Sequence, residues 1–193
     1  MNYIVNSVFN SITYILPTGE EKDCYLVDCG DVEKVIEHGW HVKGVLLTHA
    51  HFDHIYGLNK LVDIFYDALI YTNEAGREGL MNPKRNFSRY HDEVEDFVFA
   101  FPERVVLIDD GDKIKIAEDM WAEVIATPGH AESCLSYKIG KYLFTGDSYI
   151  PGIKVYTSFP RSDKAAAEQS VNRLLQLQKE CCLDIMPGHL VTE

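Results

Sequence analysis

The chain contains no run of apolar residues near the ~18 that a membrane span needs. Its opening, MNYIVNSVFNSITYIL, has neither a basic n-region nor an uninterrupted apolar stretch, so no export signal is expected. Positive charge is scarce: 18 Lys and Arg stand against 30 Asp and Glu, a formal net charge of -12. An acidic surface repels phosphate backbones, which argues against nucleic acid as a partner. The five cysteines, Cys24, Cys29, Cys134, Cys181 and Cys182, include no C-x-x-C pair. Their odd number and irregular spacing favour free thiols in a reducing compartment, and a cytoplasmic protein is expected. There is no internal repeat, no low-complexity tract, no Pro/Gly/Ser linker and no G-x-S-x-G nucleophile motif. The 193 residues fit one domain spanning 1–193.

What the sequence does have is an alternation of short strand and helix signals. SITYIL and CYLVDCG are β-branched and aromatic, with the turn chemistry PTGEEKD between them. VEKVIEHGW predicts a short helix ending near Gly39, VKGVLLTH a buried strand, GLNKLVDIF a helix and ALIYTN a strand. EAGREGLMN predicts a short helix or loop, and residues 82–103 an irregular excursion over the surface. Residues 104–130 hold several strands, with DDGD turning between the first two, and CLSYKIGKYLFTGD is a hairpin turning at Gly140. SDKAAAEQSVNRLLQLQKE is the clearest helix, with Ser162 or Asp163 as its N-cap, and CLDIMPGH is a last strand. This order implies a two-sheet or mixed-sheet domain with interleaved helices.

Ligand-type side chains gather at the ends of those strands. His49, His51, Asp53 and His54 crowd into LLTHAHFDHIYG after a Val/Leu run. His130 follows ATPG, Asp147 follows FTG, His189 follows MPG, and Asp28 occupies the same kind of place in YLVDCGD. A single histidine after a strand is ordinarily a surface or core residue, and His38, His41 and His91 are read that way. H-x-H-x-D-H within six residues is not readily explained without a metal. Five histidines and two aspartates exceed the roughly three protein ligands of one catalytic zinc, so two divalent metal ions are expected. Zinc is the first expectation, with iron or manganese as alternatives, because imidazole suits all of them. Cys134 is read as a small buried residue, with a metal ligand or reactive thiol as the alternative.

The set THAHFDH, TPGH, FTGD and PGH resembles the metallo-β-lactamase superfamily, over nearly the whole chain from residue 25 to His189. That resemblance implies an α+β fold, a four-layer αββα sandwich with the metals along one edge of the two sheets. It implies a first metal on His49, His51 and His130, a second on Asp53, His54 and His189, and Asp147 bridging them. Asp28 would orient a ligand histidine from behind. Within the superfamily the chain looks most like short, single-domain glyoxalase II-like (hydroxyacylglutathione hydrolase-like) enzymes. NPKRNFS resembles their Asn-x-Ser segment and FPRSD their Gly-Arg-Ser/Thr-Asp segment, which makes Asn86, Ser88 and Arg161 candidate substrate-binding residues. The chain stops at Glu193, so the family's C-terminal glutathione-binding helical domain is not expected. Pro160 replaces the family's glycine, and LVTE replaces its Gly-rich continuation.

The resemblance implies a metal-dependent hydrolase of a small-molecule thioester, in which Asp53 helps hold an attacking hydroxide. Lys84, Arg85, Arg89 and Arg161 are candidates for a basic substrate patch, and Tyr149 and Tyr156 for the pocket wall. The alternatives are a mononuclear iron persulfide dioxygenase of the same fold, holding its iron through His49, His130 and Asp147, and a hydrolase of lactones or other esters. A membrane is not expected as partner, and a homo-oligomer is left open.

Overall fold

The computed structural model describes residues 2–19, 22–92 and 94–190. Two mixed sheets carry the molecule. The first is built, in chain order, from β1 (Asn2–Val5), β2 (Ile12–Pro17), β3 (Asp23–Val27), β4 (His41–Leu46), β5 (Leu69–Thr72) and β6 (Val105–Leu107), each hydrogen-bonded to the next. β1, β2 and β3 pair antiparallel, whereas β3, β4, β5 and β6 run parallel. A parallel step needs a crossover long enough to return the chain. The crossovers here contain α1 (Val32–Glu37), then α2 (Phe52–Ile55) and α3 (Leu58–Ile64), then α4 (Glu74–Leu80).

The second sheet has the order β11-β10-β9-β8-β7, from β7 (Lys113–Ala117), β8 (Met120–Ala126), β9 (Leu135–Ile139), β10 (Tyr142–Gly146) and β11 (Asp184–Pro187). Its hairpins are antiparallel, and β11 joins parallel to β10 after α5 (Lys164–Cys181).

Strand alternation sorts the side chains into layers. On β2, Ile12, Tyr14 and Leu16 face the second sheet, where they meet Ile114, Val124, Leu135, Tyr137 and Phe144. On β3 and β4, Cys24, Leu26, Val42 and Val45 point the other way, onto Val35 of α1 and Leu58 and Leu61 of α3. α5 closes the far side by setting Leu174 against Ile125, Leu143 and Leu183. Helices, sheet, sheet and helix make the expected αββα sandwich.

The strand and helix expectations hold where hydrophobic periodicity is strong. α5 is capped by Asp163, whose carboxylate accepts from Ala166 N at 2.9 Å. The surface excursion needs correction: Phe97 and Phe99 are buried in the helix-side core, so that segment is tethered to it. Glu20 and Glu21 of the expected turn, and residues 191–193 of LVTE, lie outside the described residues. Among the described residues no helix is long and apolar enough to cross a membrane.

Candidate metal centre

Five strands deliver the site. β3 and β4 are parallel, and β8, β10 and β11 share one direction because β9 runs against β8 and β10. Their C-terminal ends carry Asp28, the 47–54 segment, His130, Asp147 and His189. The two sheets are drawn together there by Gly146, in the left-handed region at φ 49; a Cβ on it would lie 2.6 Å from the Cβ of Thr48, in the segment that follows β4. No larger residue fits that approach.

The seven expected ligands converge. Three donor groups form, His49 with His51 and His130, His49 with His54 and Asp147, and Asp53 with His54 and His189, the atoms of each lying within 4.8 Å of one another. The Asp147 carboxylate faces both sides: Oδ1 is 3.6 Å from His54 Nε2, while Oδ2 is 3.6 Å from His130 Nε2 and 3.3 Å from His189 Nε2. Asp53 Oδ2 lies 3.3 Å from both His54 Nε2 and His189 Nε2. His38, His41 and His91 belong to none of these groups.

The hydrogen bonds behind the rings fix which nitrogen each offers. Asp28, buried at φ 58, accepts from Thr48 N and Thr48 Oγ1, each at 2.7 Å, and from His54 Nδ1 at 2.8 Å. Thr48 spends its one proton on Asp28, so at 3.1 Å it is His49 Nδ1–H that donates to Thr48 Oγ1. His130 Nδ1 donates to the carbonyl of Tyr156 at 2.9 Å and His189 Nδ1 to that of Phe9 at 3.0 Å. Four rings therefore turn Nε2 inward. His51 differs, presenting Nδ1 3.0 Å from His130 Nε2. Thr48 and the two carbonyls are contributors the sequence reading missed. Thr48 adjoins His49 and was open to inspection, but a backbone carbonyl from a distant loop leaves no sequence signal.

Charge distribution follows from these contacts. Burial, with the neighbouring imidazoles, holds His49 well below the ordinary histidine range and His51 down to about 3. At His54 burial opposes the charge, but Asp53, Asp28 and Asp147 outweigh it and raise its pKa well above normal. His189 rises to about 10 against its own burial, through Asp147 and Asp53. Asp53 and Asp147 are both lowered despite burial, because His54 and His189 face them.

These residues fit divalent metal ions. His49 Nε2 and Asp147 Oδ1 are buried without any hydrogen-bond partner among the described residues. Such orphaned acceptors are costly unless a cation takes their lone pairs. Mixed imidazole and carboxylate donors suit zinc, iron or manganese. The Cys134 thiol is outside the donor groups; it is buried, accepts from Ala131 N at 3.3 Å, and burial pushes its pKa up to about 12. All five cysteines are free.

The expected substrate residues divide. Asn86 and Ser88 are fully buried. Asn86 Nδ2 donates to the carbonyls of Gly79 and Phe97, both at 3.0 Å, and its Oδ1 accepts from Ser88 N at 3.0 Å. Ser88 Oγ accepts from Phe97 N at 2.9 Å. Their polar atoms are spent on backbone, and what faces the centre is Phe87 between them, 4.8 Å from the His51 ring. Arg161 lines a cavity of about 40 Å³ with His51 and Phe87, and pairs with Glu132 at 3.0 Å. Of the expected basic patch, Arg85 is ion-paired to Glu78 and Arg89 to Asp96. Tyr156 is exposed beside the centre, and Tyr149 instead packs against the α5-side core.

Comparison with known proteins agrees with this geometry. A family model described as the metallo-beta-lactamase superfamily matches residues 8–189. A hydroxyacylglutathione hydrolase of Salmonella paratyphi A is 29% identical over 140 residues, covering 70% of this chain and 46% of the relative. A Salmonella newport protein of the same name is 28% identical over 140 residues, with the same coverage. The chain thus spans about half the length of the curated relatives it matches. Among solved structures, the B3 metallo-beta-lactamase BLEG-1 superposes with a TM-score of 0.83 at 24% identity, covering 98% of this chain and 91% of that one. TTHA1623 in a di-iron-bound form gives 0.81 at 24%, covering 99% and 93%. ETHE1 from Myxococcus xanthus gives 0.70 at 21%, covering 99% and 76%. At these identities the structures establish the shared fold.

Proposed function

The chain belongs to the metallo-beta-lactamase superfamily, and from that premise we propose that it is a metal-dependent hydrolase of a small-molecule thioester, working with two divalent ions. The observation that carries the reading is the pair of donor groups on either side of one carboxylate, Asp147, with His49 Nε2 and Asp147 Oδ1 left unpartnered. His49, His51 and His130 would hold one ion, and Asp53, His54 and His189 the other. A one-ion centre on His49, His130 and Asp147 would leave Asp53, His54 and His189 without employment, which favours hydrolysis over the dioxygenase alternative. Similarity to hydroxyacylglutathione hydrolases supports a thioester over other esters.

When bound, the ions supply Lewis acidity and a water that ionises near neutral pH. The protein's own groups supply orientation. Asp28, Thr48 and the Phe9 and Tyr156 carbonyls hold four imidazoles in one tautomer, so no ring must turn or lose a proton during turnover. Ser11 Oγ donates to the Asp53 carbonyl at 2.7 Å, fixing the backbone that aims this carboxylate. The Asp53 carboxylate oxygen not engaged with an ion would orient the attacking water by accepting its O–H. A C–O bond forms as the C–S bond breaks, and the proton released ends on the leaving sulfur.

The test is metal content read beside S-lactoylglutathione hydrolysis. Two ions per chain with thioester turnover is the expected result, and Asp147→Ala should lose metal and turnover together. One iron per chain, no hydrolysis and oxygen uptake with glutathione persulfide would overturn the proposal.

A further inference from the structure

Among the described residues, five of the six non-glycine residues with positive φ adjoin the metal centre: Phe9, Asn10, Asp28, Phe87 and Arg161. Asp28 holds His54, and the Phe9 carbonyl holds His189. Phe87, at φ 67 and ψ 2, makes no such bond. A bulky residue in that region costs about 1–3 kcal/mol and persists only where its surroundings dictate it. Here they do: buried Asn86 and Ser88 clamp the segment on both sides, and Phe52 N donates to the Asn86 carbonyl at 2.8 Å. Two buried polar side chains and one strained backbone serve to aim a phenyl ring.

The ring is aimed at Phe159, from the loop after β10. The two stack at 4.8 Å and 29°. Phe159 lies edge-on to His51 at 5.2 Å and His130 at 5.6 Å, and Phe87 edge-on to His51 at 4.8 Å. Phe87 also lines, with His51 and Arg161, a cavity of about 40 Å³, room for no more than a few waters. Its two cations, Arg85 and Arg161, are both paired with carboxylates. Tyr90, whose ring lies 6.1 Å from that of Phe87, lines with Phe9, Phe52 and His91 an open cleft of about 460 Å³.

We propose that the stacked Phe87–Phe159 pair is a specificity wall: it restricts the acyl arm to a compact group of two to four carbons and sends the bulky thiol arm to the open cleft. The inference rests on the hydrolase reading for the words acyl and thiol. The size limit itself rests on the rings.

The experiment separates the two. Binding of acetate, butanoate, hexanoate and octanoate to the zinc-loaded protein is measured by calorimetry, without turnover. Affinity should fall at least tenfold from butanoate to octanoate. Phe159→Ala, and Phe87→Gly, which keeps the left-handed backbone unstrained, should each recover at least fivefold for octanoate while changing acetate less than twofold, at unchanged metal content. If Phe159→Ala does not fold, Phe159→Leu serves with the same expectation, reduced in size. Octanoate binding as tightly as acetate in the wild type, or an unaltered ratio in metal-replete variants, would overturn the wall. The same acyl series offered as thioesters then judges the chemistry: no turnover of any member, with the carboxylate ratio intact, sinks the hydrolase and keeps the wall.

Discussion

Asp28 shows how much one side chain organises. Its carboxylate takes three hydrogen bonds, from Thr48 N, Thr48 Oγ1 and His54 Nδ1, with almost no exposure to water. Asp28→Ala should therefore weaken metal binding about 10–100-fold and destabilise the metal-free protein by about 1–3 kcal/mol per buried group left unpaired. Competition with a chromophoric chelator reads the first effect and denaturant unfolding the second. Unaltered metal affinity would mean that His54 is held by packing alone. The sequence announced these residues through their setting, since Asp28, His130, Asp147 and His189 each follow a strand that ends in a turn. Asn86 and Ser88 were harder to place. There the polar type was visible, but the distinction between facing a ligand and satisfying a buried carbonyl depends on Gly79 and Phe97, which only the fold brings near.

Among the elements, α5 and the turn before His130 are coupled. Gly129, at φ 137, sits so close to the helix that a Cβ would run into the Ala167 backbone, and Asp163 N donates to the Gly129 carbonyl at 2.8 Å. Gly129→Ala should cost at least the ~1–3 kcal/mol of overpacking. Because the turn leads directly into His130, it should also lower metal affinity, whereas Leu174→Ala, at a buried site on the same helix, should cost about 2–5 kcal/mol and leave affinity within twofold. Equilibrium dialysis beside thermal melts distinguishes them. α5 was legible because eighteen residues repeat a helical pattern and an Asp caps it. α2 was not, since four residues are too few to show a period and its side chains were read for their chemistry. The tether at Phe97 and Phe99 was missed because FVFAF, though it alternates rings, is only five residues long and forms no strand.

At the scale of the whole molecule, the centre makes metal-free stability pH-dependent. His189 is raised to about 10, so its contribution is complete below the ordinary value of 6.5 and is lost as pH rises through about 10. His54 acts with the same sign. His51 is lowered to about 3, so its contribution is present above 6.5 and is lost as pH falls toward 3. The melting temperature of metal-free protein should thus decline on both sides of neutrality. Asp53 and Asp147 raise both His54 and His189 above the ordinary histidine range, so zinc binding should release protons; calorimetry in buffers of different ionisation enthalpy should find a net release. Release near zero would mean that the two rings are already neutral.

The distances along the chain between ligands have a kinetic consequence. His51 meets His130 across 79 residues, and His54 meets His189 across 135, while His49, His51, Asp53 and His54 are neighbours from the moment of synthesis. An ion captured early by that local cluster would coordinate before either distant partner arrives, and would have to be released for the rest of the sandwich to close. Metal present from the start of refolding should therefore act as a trap, adding a slow phase to the tryptophan fluorescence that is absent when the chain refolds in chelator and receives its ions afterwards.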